Sequence, residues 1–178
     1  MRPSPVRLLL IRLLFATLLL AALGLFGPYL EHALYAMRLG AMRVPQQVQV
    51  PVAAIRRADL RSTWRAPRGA SRKHEGIDIF ARRGTPVLAA TEGIVLRTGL
   101  TRLGGKVVWV LGPGGQRHYY AHLDRYGDVG AGQRVDAGAV LGYVGTTGNA
   151  AGTPPHLHYG IYTLQGAVDP FPQLKSLP

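Results

Sequence analysis

The chain has 178 residues, 47% of them hydrophobic, with 23 glycines, 13 prolines and no cysteine. This excludes a disordered polymer, a disulfide scaffold and any thiolate metal site, and leaves room for one turn-rich domain plus an appendage. The net charge is +12, and the part after residue 40, with 17 Lys and Arg against 8 Asp and Glu, keeps +9 of it.

The appendage comes first. "LLFATLLLAALGLFGPYL", Leu13 to Leu30, is 18 residues without a charge, enough to be read as a membrane span. Arg2, Arg7 and Arg12 precede it, so the positive-inside rule predicts an amino terminus in the cytoplasm and a domain carried across the membrane. Residues 1–40 are therefore read as an uncleaved anchor in the bacterial inner membrane, single-pass, with the domain on the periplasmic or cell-wall side. Secretion after signal cleavage is the alternative, but the apolar run exceeds the usual h-region of about 7–15 residues. Once the domain is exported, its basic charge faces cell-wall polymers and lipid headgroups, and nucleic acid is not an expected partner.

Residues 41–60, with prolines and glutamines and little periodicity, read as a short linker that ends by joining the domain. From residue 61 to residue 178 the chain reads as short strands between glycine turns: "GIDIFA", "TPVLAA", "GIVLRTG", "KVVWVLG", "RHYYAHL", "AVLGYVG" and "HLHYGIY". The run "VVWVLGPGGQRHYYAHL" predicts a hairpin turning at Gly112 to Gly115, and strong amphipathic helices are missing. The expected fold is all-β, a small, mostly antiparallel, barrel-like or folded-over sheet. A faint echo between Gly84–Gly99 and Ala131–Gly145 is of a kind found in lipoyl-type carrier domains. Those need a lysine at a hairpin tip, which this chain lacks in a comparable turn.

Chemistry concentrates in three stretches. In "RKHEGIDIFA", His74 and Asp78 share a face if the stretch is a strand, with Gly76 leaving room between them. The helical zinc motif HExxH does not apply, because Asp78 stands where its second histidine would, and Gly76 is a poor helix residue. In "TPPHLHYGIY", His156 and His158 point to one side of a strand. His74, Asp78 and one histidine of this pair make three nitrogen and oxygen donors, the pattern of a catalytic zinc that keeps a position open. A proton carrier is also needed for amide hydrolysis, and the candidates are His122 in "HYYAHLD" and the other member of the pair. His118 shares strand parity with Tyr120 and His122, although a surface position is the simpler expectation. Trp64, Trp109, Tyr119 and Tyr120 read as core residues or as stacking surfaces.

Together "HEGID", "YAHL" and "GTTGNAAGTPPHLHYGIY" resemble the signature segments of the lysostaphin and LytM-like zinc metalloendopeptidases, family twenty-three of the metallopeptidases, whose members cut peptide cross-links in peptidoglycan. The resemblance runs from about Arg61 to Pro170. It implies one zinc ion, Zn2+, held by His74, Asp78 and His158, with His122 and His156 as the catalytic imidazoles. Peptidoglycan stem peptides and cross-bridges would be the substrate, and the inner membrane would be met through residues 13–30. Gly160 stands where many members carry a carboxylate, and "TPPHLH" has an extra proline. A silent member that binds cell wall or activates an amidase is the alternative, which the intact set of site residues disfavours.

Overall fold

The computed structural model describes residues 4–69 and 71–175. It divides into two compact units, Met1–Met37 and Arg38–Pro178.

Helix α1, Pro5–Ala41, is built from leucine and alanine, both strong helix formers, with proline at its first position. Its stretch Pro5–Gly27, 23 residues with mean hydropathy 2.5, is exposed all round. At 1.5 Å per residue that stretch reaches about 35 Å, enough to cross a hydrocarbon layer of about 30 Å. It is thus long and apolar enough to span a membrane.

The second unit is mostly antiparallel β. In chain order its strands are β1 (Pro67–Arg68), β2 (Arg72–Lys73), β3 (Ile77–Phe80), β4 (Pro86–Leu88), β5 (Gly93–Thr101) and β6 (Gly105–Leu111). There follow β7 (Arg117–Tyr126), β8 (Arg134–Val135), β9 (Val140–Val144), β10 (His156–Thr163), β11 (Gly166–Val168) and a short helix α2 (Phe171–Lys175). The main sheet runs β11-β10-β7-β6-β5-β8, with β3 also on β10, β9 on β7 and β4 on β9. The expected hairpin is present as β6 and β7. The pair β1 and β2 forms a separate small hairpin.

Alternation fills the core from one face of each strand: Ile77 and Ile79 of β3, Val108 and Val110 of β6, Leu157, Tyr159 and Ile161 of β10 are buried. Each such side chain contributes roughly 1.5–3 kcal/mol by leaving water. Residues 41–60, read from the sequence as the stretch joining the helix to the domain, place Val48, Val50, Val52 and Leu60 in this core. The valines recur at every second position, and the backbone pairs beside β4, with Val52 opposite Val87 and Gln49 N donating to Ala90 O at 2.9 Å.

Candidate active site

Strand β10 organises the site because it pairs with β3 on one side and β7 on the other. Its register sets His158 opposite Asp78 of β3 and opposite Ala121 of β7. Asp78 Oδ1 thereby lies 3.2 Å from His158 Nδ1 and 3.1 Å from His74 Nε2. His74 does not belong to a strand; β3 begins only at Ile77, and His74 lies in the irregular segment just ahead of a bend at Gly76. Its backbone is held instead to the preceding segment, N–H donating to Ala66 O and C=O accepting from Arg65 N, both at 2.9 Å. The bend is possible because Gly76 has no Cβ: one added there would lie 2.5 Å from the Tyr159 carbonyl oxygen and 2.8 Å from His158 Cε1.

Three imidazoles are fixed in tautomer by backbone carbonyls. His74 Nδ1 lies 2.8 Å from Thr63 O, His122 Nδ1 2.9 Å from Thr147 O, and His156 Nδ1 2.8 Å from Pro154 O. A carbonyl only accepts, so each Nδ1 carries the proton and donates, leaving each Nε2 bare. The consequence is sharpest at His74, whose bare Nε2 faces His158 Nδ1 at 2.7 Å. Two lone pairs so close, with a carboxylate oxygen beside them, are stable only around a shared proton or a cation. His74, Asp78 and His158 offer donor atoms all within 4.8 Å of one another. Two nitrogens and one oxygen from the described residues fit a zinc ion that keeps a position open.

Electrostatics follows from burial and these neighbours. Burial works to raise the Asp78 carboxyl, but the adjoining His158 and His74 imidazoles outweigh it and hold the group well below the usual carboxylate range. Burial pushes His158 down, partly opposed by its hydrogen bond to Asp78. His122 is pushed down to about 4, first by burial and further by the neighbouring His158 and His156, against the opposing bond to Thr147.

His122 reaches the groove through a break in strand alternation. Parity along β7 would put His118, Tyr120 and His122 on one face. His118 and Tyr120 are indeed fully buried in the core, whereas Tyr119, Ala121 and His122 line the groove. The switch occurs at His122 itself, which adopts φ 64°, a left-handed conformation uncommon for a residue with a Cβ and concentrated at functional sites. Its ring then sits 5.0 Å from that of His156, centroid to centroid. The surface position expected for His118 is thus replaced by a core one, where Nδ1 lies 2.7 Å from the Tyr159 hydroxyl.

The groove, of about 630 Å³, also takes in Trp109, Tyr119, Tyr162 and Asn149. Trp109 packs on Tyr119 at 4.4 Å and on Tyr162 at 5.2 Å, making an aromatic wall, while Tyr120 belongs to the core. Burial raises the Tyr162 hydroxyl to about 12, so it remains a proton-bearing donor. One residue that the motifs did not single out is Arg68 of β1, whose guanidinium forms an ion pair with Asp78 Oδ2. It stands only six residues before His74, but one arginine among many carries no signature of such a role.

A groove across an antiparallel sheet, with a His/Asp/His donor set and two further imidazoles, can hold a divalent metal and carry out metal-assisted hydrolysis. The sequence model described as Peptidase family M23 matches residues 72–170, more than half of the chain, and the chain belongs to that family. It is 40% identical over 128 residues to the L-Ala--D-Glu endopeptidase of Bacillus subtilis, an alignment covering 65% of this chain and 39% of that protein. It is 35% identical over 114 residues to the peptidoglycan DD-endopeptidase ShyC of Vibrio cholerae, covering 61% of this chain and 25% of that one. Among solved structures, the catalytic domain of the antimicrobial peptidase lysostaphin from Staphylococcus simulans matches with a TM-score of 0.56 and 36% identity, over 62% of this chain and 86% of that domain. The chain spans between a quarter and two fifths of the length of these two curated relatives.

Proposed function

We propose that the chain is a zinc-dependent endopeptidase that hydrolyses peptide cross-links of bacterial peptidoglycan. The observation that carries the reading is the convergence of five polar side chains, His74, Asp78, His122, His156 and His158, on one groove. The names of the relatives, endopeptidases of peptidoglycan among them, supply the substrate class. His74, Asp78 and His158 would hold the ion. When bound, zinc acts as a Lewis acid that polarises a carbonyl and acidifies water.

The protein's own residues do the rest. His122, kept neutral by burial and bare at Nε2, accepts a proton from the attacking water. The proton taken up at His122 Nε2 is handed to the bare Nε2 of His156, whose ring lies 5.0 Å from that of His122, and from there to the leaving amine. The aromatic wall and the Tyr162 hydroxyl seat the peptide. Residues 1–40 anchor the chain with its amino terminus in the cytoplasm, and residues 61–178, joined through 41–60, act on the wall from the periplasmic side. The basic surface favours this anionic polymer.

The test uses the full chain in detergent micelles. Zinc is counted by mass spectrometry and peptide release from purified peptidoglycan is measured, with His156→Ala alongside. About one zinc per chain, with release lost in the variant, is the expected result. Zinc without release from any wall type rejects the enzyme reading.

A further inference from the structure

We infer that Arg68 is a positioning residue that holds Asp78 as a one-oxygen metal ligand. The inference rests on the metal-site reading above and adds a residue to that centre. The two oxygens of Asp78 are assigned to different partners. Oδ1 faces His74 Nε2 at 3.1 Å and His158 Nδ1 at 3.2 Å, whereas Oδ2 is taken by the Arg68 guanidinium. The carboxylate is 7% exposed and the Arg68 side chain 41%, so Arg68 closes the solvent side of a buried acid. Arg68 also lies 3.1 Å from His74 Nδ1, but that nitrogen already donates its proton to Thr63 O at 2.8 Å and has no lone pair to offer. Asp78 is therefore the hydrogen-bond partner that sets the guanidinium's position.

Local structure supports the arrangement. Arg68 sits on the β1–β2 hairpin, opposite Arg72, and the hairpin base is tied to His74 through Ala66 and Arg65. From the other side, Asp78 N donates to Thr63 Oγ1 at 2.9 Å. The carboxylate is thus clamped at its backbone and at one oxygen, and cannot rotate without losing a charge-assisted bond.

The clamp matters because a carboxylate can ligate through one oxygen or two. With Oδ2 occupied, the protein supplies three donor atoms and leaves a position open, as a hydrolytic site requires. With Oδ2 released, the second oxygen would bind in addition to the group at that position and raise the coordination number. Partners of metal ligands commonly change affinity or activity by about 10- to 100-fold when removed.

The experiment compares the full chain with Arg68→Met, which keeps bulk and loses the donor, and Arg68→Gln, which keeps an N–H donor without the charge. Each is loaded with Co2+ in place of zinc, and its visible absorption, intense for four-coordinate cobalt and weak at higher coordination, is recorded beside peptidoglycan hydrolysis. The expected result is an intense spectrum for the unaltered chain, loss of most of that intensity with activity down about 10- to 100-fold in Arg68→Met, and recovery of the intensity in Arg68→Gln. An unchanged spectrum in Arg68→Met overturns the inference, as does an equal loss in both variants. If the unaltered chain takes up no cobalt or zinc, the metal-site reading itself falls. Should Arg68→Met not fold, as judged by its far-UV circular dichroism, Arg68→Leu takes its place in the same comparison.

Discussion

His74 Nε2 and His158 Nδ1 lie 2.7 Å apart although 84 residues separate them in the chain. Thr63 fixes the His74 tautomer so that Nε2 presents a lone pair, and His158 Nδ1 can meet it at this distance only through a shared proton or a cation. Zinc should therefore stabilise the folded chain, by about 2.7 kcal/mol at a free concentration one hundred times its Kd. Thermal unfolding with zinc and with excess chelator measures this. His158→Ala should abolish the zinc-dependent part of Tm, and a variant that keeps the full increment would show that the ion binds elsewhere.

The two imidazoles outside the donor set should separate chemistry from metal binding. His122→Ala and His156→Ala are expected to retain about one zinc while hydrolysis falls by roughly 10²–10⁴. His74→Ala and Asp78→Ala should lose metal and activity together. Stoichiometric zinc retained by His74→Ala would contradict its assignment as a ligand.

Gly76 is a packing requirement of the site. A methyl there would stand 2.5 Å from the Tyr159 carbonyl oxygen, a backbone atom on the central strand, and 2.8 Å from the His158 ring. Gly76→Ala should destabilise the fold by about 1–3 kcal/mol, as overpacking does, and weaken zinc retention at the same time. Urea unfolding and a chelator competition on one preparation test both; loss of stability with metal affinity untouched would mean that the strain is absorbed away from His158.

Arg65 presents the opposite case. It adopts φ 57°, left-handed and unfavourable for a side chain with a Cβ, while its N–H donates to His74 O. Arg65→Gly should stabilise the protein by about 1 kcal/mol, the steric relief exceeding the entropy that glycine adds to the unfolded chain. The urea midpoint should rise with an unchanged slope. A fall in midpoint would show that the Arg65 side chain contributes more than its backbone strain costs.

Stability should decline in mild acid. Burial pushes His118 down to about 4 from 6.5, so between those values the unfolded chain binds more protons than the folded one. The contribution is fully present above about pH 6.5 and is lost as pH falls toward 4, by about 2 kcal/mol between pH 7.5 and pH 5. Urea titrations of chelator-treated protein at those two values measure it. His118→Gln should remove that share of the difference; an equal pH dependence in the variant would assign the effect to other groups.

Much of the site was legible because the relevant signals are local. Spacing places His156 and His158 on one side of β10, "GPGG" turns the β6–β7 hairpin, and the leucine-rich run forms α1. What alternation misread lies where the backbone departs from regular geometry. A positive φ at His122 turns that ring into the groove while His118, in the same nominal parity, stays in the core. The bend at Gly76 likewise delivers His74 from outside any strand. The departure at His122 has no residue-type signature at the position itself, since histidine is acceptable in a regular strand, whereas the bend is marked by Gly76.

The sequence by itself determined which donors exist, how they are spaced within each stretch and which stretches become strands, because side-chain period and turn chemistry act over a few residues. Only the tertiary structure decided that β3 and β7 flank β10 in a register bringing Asp78 level with His158, that three backbone carbonyls set the imidazole tautomers, and that Arg68 takes the far oxygen of Asp78. Apart from the Pro154–His156 contact, two residues long, those relations join residues from 10 to 80 apart in the chain, and they arise from sheet pairing and core packing, which no local pattern encodes.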